Sequence, residues 1–229
     1  MALFSSRKAT MRRTNAQLQI DRRGEILEAA KRCFSRSGFH SASMQEICAE
    51  AQMSPGSLYR YFPSKEAIIA GIAEQDRADV AEKFKLIAQA PDFFEALAAA
   101  ARHYIVEEST EEICLHAEIK AESRRNPEIA KIYAGIELEV KSGMLNVLRT
   151  AVERGDIPKT LDLEIAATML MALVDGLYWR RAVDPEFNAE SVLPTLLSVT
   201  RFLLTEPNNH AAKKKLAGDI TAGEFSHAR

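Results

Sequence analysis

Hydroxyl, aromatic and cationic side chains are concentrated in one short segment, at Ser54, Ser57, Tyr59, Arg60 and Tyr61, with Pro55 among them. Hydroxyl and guanidinium groups donate hydrogen bonds to phosphate oxygens and to base edges, and these are the contacts that proteins make with DNA. A helix that only faced water would not need this density of Tyr, Ser and Arg. The segment therefore predicts contacts with nucleic acid.

Two short helices with a tight turn between them are needed to present this segment. Ser43 is placed to cap a helix over 44–51, a turn follows at 52–53, and Ser54 is placed to cap a second helix that begins at Pro55. The apolar residues fall on the inner faces of this pair, at Ile47, Ala51, Met53, Leu58 and Phe62. The pattern predicts a helix-turn-helix, with its second helix exposed to DNA.

The stretch GFHSASMQEICAEAQMSPGSLYRYFPSKEAI, residues 38–68, resembles the DNA-binding signature of the TetR/AcrR family of transcriptional regulators. The resemblance implies an all-α homodimer whose three N-terminal helices bind operator DNA and whose C-terminal helices form a ligand-binding and dimerisation domain. It also implies DNA contacts from Ser43, Gln45, Ser54, Pro55, Ser57, Tyr59 and Tyr61. Lys65 is expected to meet a phosphate, and Arg60 either a phosphate or a surface carboxylate. Gln52 stands where the family usually has Gly, so a left-handed turn there would cost about 1 kcal/mol.

Apolar periodicity and breaks predict helices along the whole chain and no strand. Besides the helix-turn-helix we expect helices over 22–37, 65–87, 92–107, 111–124, 127–154, 162–182 and 189–205. These define a flexible basic arm (1–20), a DNA-binding domain (21–65), a ligand-binding and dimerisation domain (66–205) and a disordered tail (206–229). The helix that starts at Lys65 is expected to be the one continuous link between the two domains.

The C-terminal helices carry the candidates for an inducer site and a dimer interface. The inducer candidates are Phe94, His116, Tyr133, Met144, Met171, Asp175 and Tyr178. Asp175 interrupts the apolar run MLMALVDGLYW, where a buried carboxylate needs a partner, either a ligand or a base such as Arg180. The interface candidates are Leu173, Gly176, Leu177, Leu193, Leu196, Leu197 and Leu204. The inducer is expected to be a small hydrophobic or aromatic molecule, and control of an efflux system is the family-level expectation.

Charge and composition support a regulator and offer no site for catalysis. Residues 1–65 hold eleven Lys and Arg against five Asp and Glu, a net of +6 that leaves −8 for the remainder of a chain whose total is −2. A basic head suits a polyanion. No phosphate-binding loop, nucleophile elbow or metal motif is present in the sequence, and the three scattered cysteines are expected to be small packing side chains. We therefore expect no enzyme activity, no cofactor and no metal.

Several alternatives stay open within this interpretation. The longest uncharged apolar run, near 165–174, is about half of the roughly 20 residues that a bilayer needs, so we expect no membrane partner and a place in the bacterial cytoplasm, at the nucleoid when bound to an operator. The protein could be an activator or a general nucleoid binder rather than a repressor. Its C-terminal domain could also dock a protein partner instead of a small molecule.

Overall fold

The structure is a computed structural model that describes residues 15–206, apart from the side chains at positions 15, 16, 78 and 79. Within that range every regular element is helical, which confirms the all-α prediction. The elements are α1 (Asn15–Ser37), α2 (Met44–Glu50), α3 (Pro55–Tyr61), α4 (Lys65–Gln89), α5 (Phe93–Arg102), a π-helical turn (His103–Glu107), α6 (Thr110–Glu122), α7 (Pro127–Arg154), α8 (Leu163–Val183) and α9 (Ala189–Thr205). None of these helices is both long enough and apolar enough to cross a membrane.

Two differences from the predicted helices exceed two residues. The first helix begins at Asn15 rather than at 22, so residues 15–20 are helical and do not belong to a flexible arm. Apolar periodicity missed this part because positions 17–20 are exposed, and hydrogen bonds such as that from Gln17 to Asp21 (2.9 Å) stabilise it instead. The rest of the predicted arm, 1–14, and the predicted tail from 207 onward lie outside the described residues.

The second difference is the π-helical turn that ends the predicted helix over 92–107. Its carbonyl groups are held by a side chain from α8, because the Arg181 guanidinium donates to the carbonyls of Ile105 (3.2 Å) and Glu108 (3.1 Å). Sequence periodicity cannot anticipate a partner that is more than 70 residues away.

The helix starts and stops in the N-terminal region follow local chemistry, as predicted for the caps at Ser43 and Ser54. The hydroxyl oxygens of Ser43, Ser54 and Ser64 accept hydrogen bonds from the N–H groups of Glu46, Ser57 and Ala67 at 3.1–3.3 Å. Gly38 ends α1 with φ +76°, and Gln52 has φ +51°. Gln52 therefore adopts the left-handed conformation, which costs a residue other than glycine about 1 kcal/mol.

The described chain divides into two compact units. The first contains residues 15–76 and Thr110–Ala134, so α6 and the start of α7 share a unit with α1–α3, and α6 lies against α1. The second contains Arg77–Ser109 and the chain from Gly135 onward. Both α4 and α7 contribute to both units. The expectation that α4 alone links them was therefore incomplete.

The core of the first unit is formed by side chains from six helices, α1–α4, α6 and the start of α7. Its fully buried residues include Ile26, Phe34, Ile47, Leu58, Phe62, Ile68 and Leu115. Cys33 and Cys48 pack there as small buried side chains, and burial raises the pKa of both thiols. This core holds α2 and α3 against α1, α4 and α6.

The second unit has two apolar clusters. One joins the ends of α4 and α9 to α5, α7 and α8, with Leu148, Ala167 and Leu204 at its centre. The other surrounds Ile105 and Leu193. Gly143 of α7 lies directly against the Phe84 ring of α4, so close that a Cβ atom there would overlap the ring. Glycine is therefore required at this helix crossing.

Candidate nucleic-acid interface

Helix α3, the second helix of the helix-turn-helix, is short and is fixed at its N-terminus. The Ser54 hydroxyl accepts from the Ser57 N–H (3.3 Å) and donates to the Ser57 hydroxyl (3.0 Å). Pro55 occupies the first helical position, where no backbone donor is needed. These contacts hold the start of α3 rigidly, so its outward side chains are preorganised.

The outward face of α3 is polar and aromatic, as predicted. Tyr59 is 51% exposed, and Ser54, Pro55 and Arg60 are exposed as well. Ser57 and Tyr61 are half-buried, and Tyr61 packs against the core of the first unit. One part of the Tyr61 side chain therefore packs on the core and the other part is exposed. The Tyr59 side chain, in contrast, is exposed enough to enter a groove of DNA.

Helix α2 is tied to α1 by ion pairs that leave Ser43 and Gln45 exposed at its N-terminus. Arg36 donates to Glu46 (3.0 Å) and Arg32 to Glu50 (2.7 Å). These guanidinium hydrogen bonds hold the pKa of both carboxyl groups below its usual value. Ser43 and Gln45, the predicted contacts at the start of α2, are exposed beside them. The ion pairs thus orient α2 without using its predicted DNA-contacting residues.

Lys65 was predicted to contact a DNA phosphate, but its ammonium group is bound to the protein's own backbone. Its ammonium donates to three backbone carbonyl groups, those of Phe39 (2.6 Å), His40 (3.1 Å) and Ala42 (2.8 Å). An ammonium group has three N–H donors, so these carbonyls use all of them. The phosphate contact stays a prediction, and in the structure this side chain holds the turn between α1 and α2.

The seven inducer candidates lie in separate surroundings. His116 and Tyr133 belong to the first unit; the other five belong to the second, where Phe94 and Met144 pack on one apolar cluster and Tyr178 on the other. Met171 is half-buried on α8. Asp175 is exposed, so the premise that its carboxylate is buried in an apolar run is not met. The residues that α8 does bury are Ala166, Ala167 and Leu170, on a different face.

The predicted interface leucines are largely used inside the protomer. Leu193 and Leu196 are 4% and 8% exposed, and Leu204 is fully buried. Leu173, Leu177 and Leu197 pack against the same cluster as Leu193. A second copy could not reach the buried ones without unfolding this core. Gly176, in contrast, is exposed on α8.

Sequence reasoning missed residues whose partners are distant in the chain. The side chain of Lys31 is 11% exposed, and its ammonium lies 3.4 Å from Asp76 and 3.2 Å from Glu112. These ion pairs join α1, α4 and α6. Glu118 of α6 accepts the Phe39 N–H at 3.1 Å. No local pattern marks these positions. The only sequence signal is that charged residues stand within otherwise amphipathic helices.

A capped helix-turn-helix with an exposed aromatic and cationic face, in a chain whose described elements are all helical, is typical of a DNA-binding regulator. Comparison with known proteins agrees. Residues 26–72 match the model of bacterial regulatory proteins of the tetR family, and residues 94–203 match that of the BetI-type transcriptional repressor C-terminal domain.

Individual relatives and solved structures give the same result. The transcriptional regulator UidR of Escherichia coli strain K12 is 32% identical over 154 residues, which cover 67% of this chain and 78% of UidR. The structure of Salmonella enterica GusR is similar with a TM-score of 0.70 and 31% identity, covering 81% of this chain and 96% of GusR. A structure described as a SmeT–triclosan complex has a TM-score of 0.71 and 22% identity, covering 82% and 93% of the two chains. The chain belongs to the TetR family of bacterial transcriptional regulators, which are DNA-binding proteins and not enzymes.

Proposed function

We propose that the protein represses transcription by binding a palindromic operator as a homodimer, and that a small hydrophobic or aromatic inducer releases it. The observation that carries the proposal is the exposed face of α3. Tyr59 and Arg60 protrude from a helix whose start is fixed by two serine contacts and whose inner side is buried through Leu58. A rigid helix with such a face fits a major groove.

The homodimer is supported by an apolar stripe on the last two helices. Six of the eleven large apolar side chains that are exposed among the described residues lie there, namely Ile165, Met169, Trp179 and Val183 on α8 with Val199 and Phe202 on α9. The α8 members repeat at three- to four-residue intervals together with Ala172 and Gly176, so they share one face. We call these eight residues the α8–α9 stripe.

A second copy of this chain is the partner that the α8–α9 stripe fits best. One helix-turn-helix reads too few base pairs to be specific in a genome, and a two-fold dimer reads two half-sites about 34–36 Å apart. The leucines predicted for this interface pack inside the protomer, whereas Gly176 is exposed and belongs to the proposed interface. The proposed interface is therefore the outward face of α8, not its leucine face.

For the inducer, the groove between α5 and α9 has suitable chemistry. Phe94, Leu97 and Leu197 line it, and the Arg201 guanidinium stacks 4.0 Å from the centre of the Phe94 ring. A flat aromatic molecule could replace or extend this stack. SmeT was solved with triclosan, but at 22% identity the similarity to this chain extends only to the fold. The proposed class of ligand is therefore inferred from the residues that line the groove. Control of an efflux system stays a prediction.

The proposal is tested by selecting DNA from a random duplex pool with the wild-type protein and measuring binding by fluorescence anisotropy. A repressor should enrich a short palindrome and bind it at least about 1,000-fold more tightly than unrelated DNA. Enrichment of no common sequence would favour a general nucleoid binder. A reporter gene that is switched on rather than off by the protein would favour an activator.

Tyr59→Ala tests the reading face. Loss of a groove contact should weaken binding to the selected palindrome by roughly 5- to 150-fold and change the preference among single-base variants. Tyr59→Phe, which keeps the ring, is the matched control and should retain the preference if the ring packs on a base. Unchanged affinity and preference in Tyr59→Ala would refute the docking of α3.

The inducer arm uses the same duplex. Aromatic compounds that raise the melting temperature are titrated against free protein and against the protein–DNA complex. Because coupling is reciprocal, an inducer should bind the complex about 5- to 150-fold more weakly. Equal affinities would remove the inducer from the proposal, and a co-purifying protein that binds the second unit instead would favour the docking alternative.

A further inference from the structure

The turn between α1 and α2, residues 38–42, is held by side chains from two other helices. From α4, the Lys65 ammonium donates to the carbonyl groups of Phe39, His40 and Ala42 at 2.6–3.1 Å. The same ammonium lies 4.7 Å from the centre of the Phe39 ring. Hydrogen bonds from a charged donor are the stronger kind, and this one group makes three of them. We call these residues the 38–42 turn.

From α6, a carboxylate holds the same turn. Oε2 of Glu118 accepts the Phe39 N–H at 3.1 Å. It also lies 3.0 Å from the position that a Cβ atom on Gly38 would take. Glycine at position 38, with φ +76°, lets the carboxylate approach the backbone this closely. Phe39 is thus fixed through its N–H by α6 and through its carbonyl by α4.

The 38–42 turn leads directly into the helix that carries two predicted DNA contacts. Ala42 is 2% exposed, so the end of the turn is anchored in the core. Ser43 follows as the cap of α2, and the exposed Gln45 lies in the first turn of that helix. A shift of the turn would therefore move the N-terminus of α2 relative to α3.

We propose that Lys65 and Glu118 are positioning residues for DNA binding, which fix the 38–42 turn and through it the start of α2. This inference rests on the proposed operator binding. It assigns Lys65 a backbone-holding task in place of a phosphate contact. Glu118 is assigned a role in supporting DNA binding, although its negatively charged carboxylate by itself would repel DNA.

The charge of Glu118 makes the test sharp because the two explanations predict opposite signs. Operator affinity is measured by anisotropy, on the palindrome selected by wild-type protein, for Glu118→Ala and Glu118→Gln. If the residue acts only through charge, both variants should bind DNA more tightly. If it positions the turn, Glu118→Ala should bind about ten-fold more weakly, whereas Glu118→Gln, which keeps an acceptor for the Phe39 N–H, should stay within about two-fold of wild type.

Lys65 is tested with a variant that keeps its charge. A planar guanidinium cannot converge on three carbonyl groups as a single ammonium does, so Lys65→Arg should weaken binding about ten-fold with the wild-type dependence on salt. A phosphate contact predicts instead that Lys65→Arg keeps its affinity and that Lys65→Met lowers the salt slope by about one per protomer. All variants are compared at a temperature where circular dichroism shows them folded.

Three results separate the outcomes. Weaker binding by both Glu118→Ala and Lys65→Arg, with an unchanged salt slope, supports the positioning role. Wild-type or tighter DNA binding by Glu118→Ala overturns the positioning role. If Glu118→Ala does not fold, wild-type or tighter DNA binding by Lys65→Arg overturns it. A wild-type protein that enriches no duplex would overturn the proposed function itself, and the positioning role with it.

Discussion

Replacing Trp179 by alanine tests the α8–α9 stripe most directly. Trp179 is 54% exposed in the isolated protomer. An aromatic side chain of this kind buries roughly 200 Å² when fully enclosed, and burial contributes about 25 cal/mol per Å². If the exposed half becomes buried between two copies, truncation costs about 1–2 kcal/mol per protomer after the area that alanine still buries is subtracted.

The symmetry of a dimer doubles this cost. A two-fold interface contains each residue twice, so Trp179→Ala should destabilise the dimer by about 2–4 kcal/mol. At 1.4 kcal/mol per factor of ten, the dimer dissociation constant rises roughly 30- to 700-fold. Operator binding should weaken in parallel and recover at high protein concentration, because the DNA-reading surface itself is unchanged.

Sedimentation over a dilution series measures the effect. Leu86→Ala is the matched control, because Leu86 is similarly exposed (59%) but lies on α4 outside the stripe. Trp179 is also the single tryptophan, so the fluorescence emission of wild-type protein should shift to longer wavelength as dimers dissociate. An unchanged dissociation constant in Trp179→Ala, or an equal loss in Leu86→Ala, would refute the assignment of this face.

Three further predictions concern stability and are measured by thermal unfolding, where about 1 kcal/mol corresponds to 2–4 °C for a chain of this size. Gly143→Ala should destabilise the protein by about 1–3 kcal/mol because its Cβ would overlap the Phe84 ring. Gly135→Ala is the control on the same helix, with nothing within 4 Å of the added Cβ, and should stabilise the protein by about 0.5–1 kcal/mol. Equal effects of the two substitutions would contradict the close crossing of α4 and α7. Gln52→Gly should raise stability by up to about 1 kcal/mol by relieving the positive φ, and a loss would mean that the Gln52 side chain makes a compensating contact. Lys31→Met should cost about 2 kcal/mol because it leaves partly buried carboxylates without their cation. Asp76→Asn should cost less than Lys31→Met, since burial already raises the pKa of Asp76 despite Lys31, and the reverse ranking would disprove this account of the cluster.

The sequence by itself determined most of the helices and the exposed polar face of α3. Serine caps, the glycine at 38 and apolar periodicity act over three or four residues, so the positions of α2, α3 and most of the other helices could be predicted from local chemistry. The left-handed conformation at Gln52 could be anticipated from the family resemblance instead, because the family usually has Gly at this position.

Only the tertiary structure decided which side of α8 faces inward. Apolar residues surround this helix on all sides, so the core leucines and the exposed α8–α9 stripe cannot be told apart by periodicity. Asp175 illustrates this difficulty: it interrupts an apolar run in sequence yet lies on the surface. Its environment depends on neighbouring helices that the local pattern does not contain.

The partners of Lys65 and Glu118 were decided in the same way. Their hydrogen bonds reach back 23–26 and 79 residues to the 38–42 turn. Backbone carbonyl and N–H groups are present at every position, so a sequence does not show which of them a charged side chain will find. That choice is made by the packing of α4 and α6 against the DNA-binding helices.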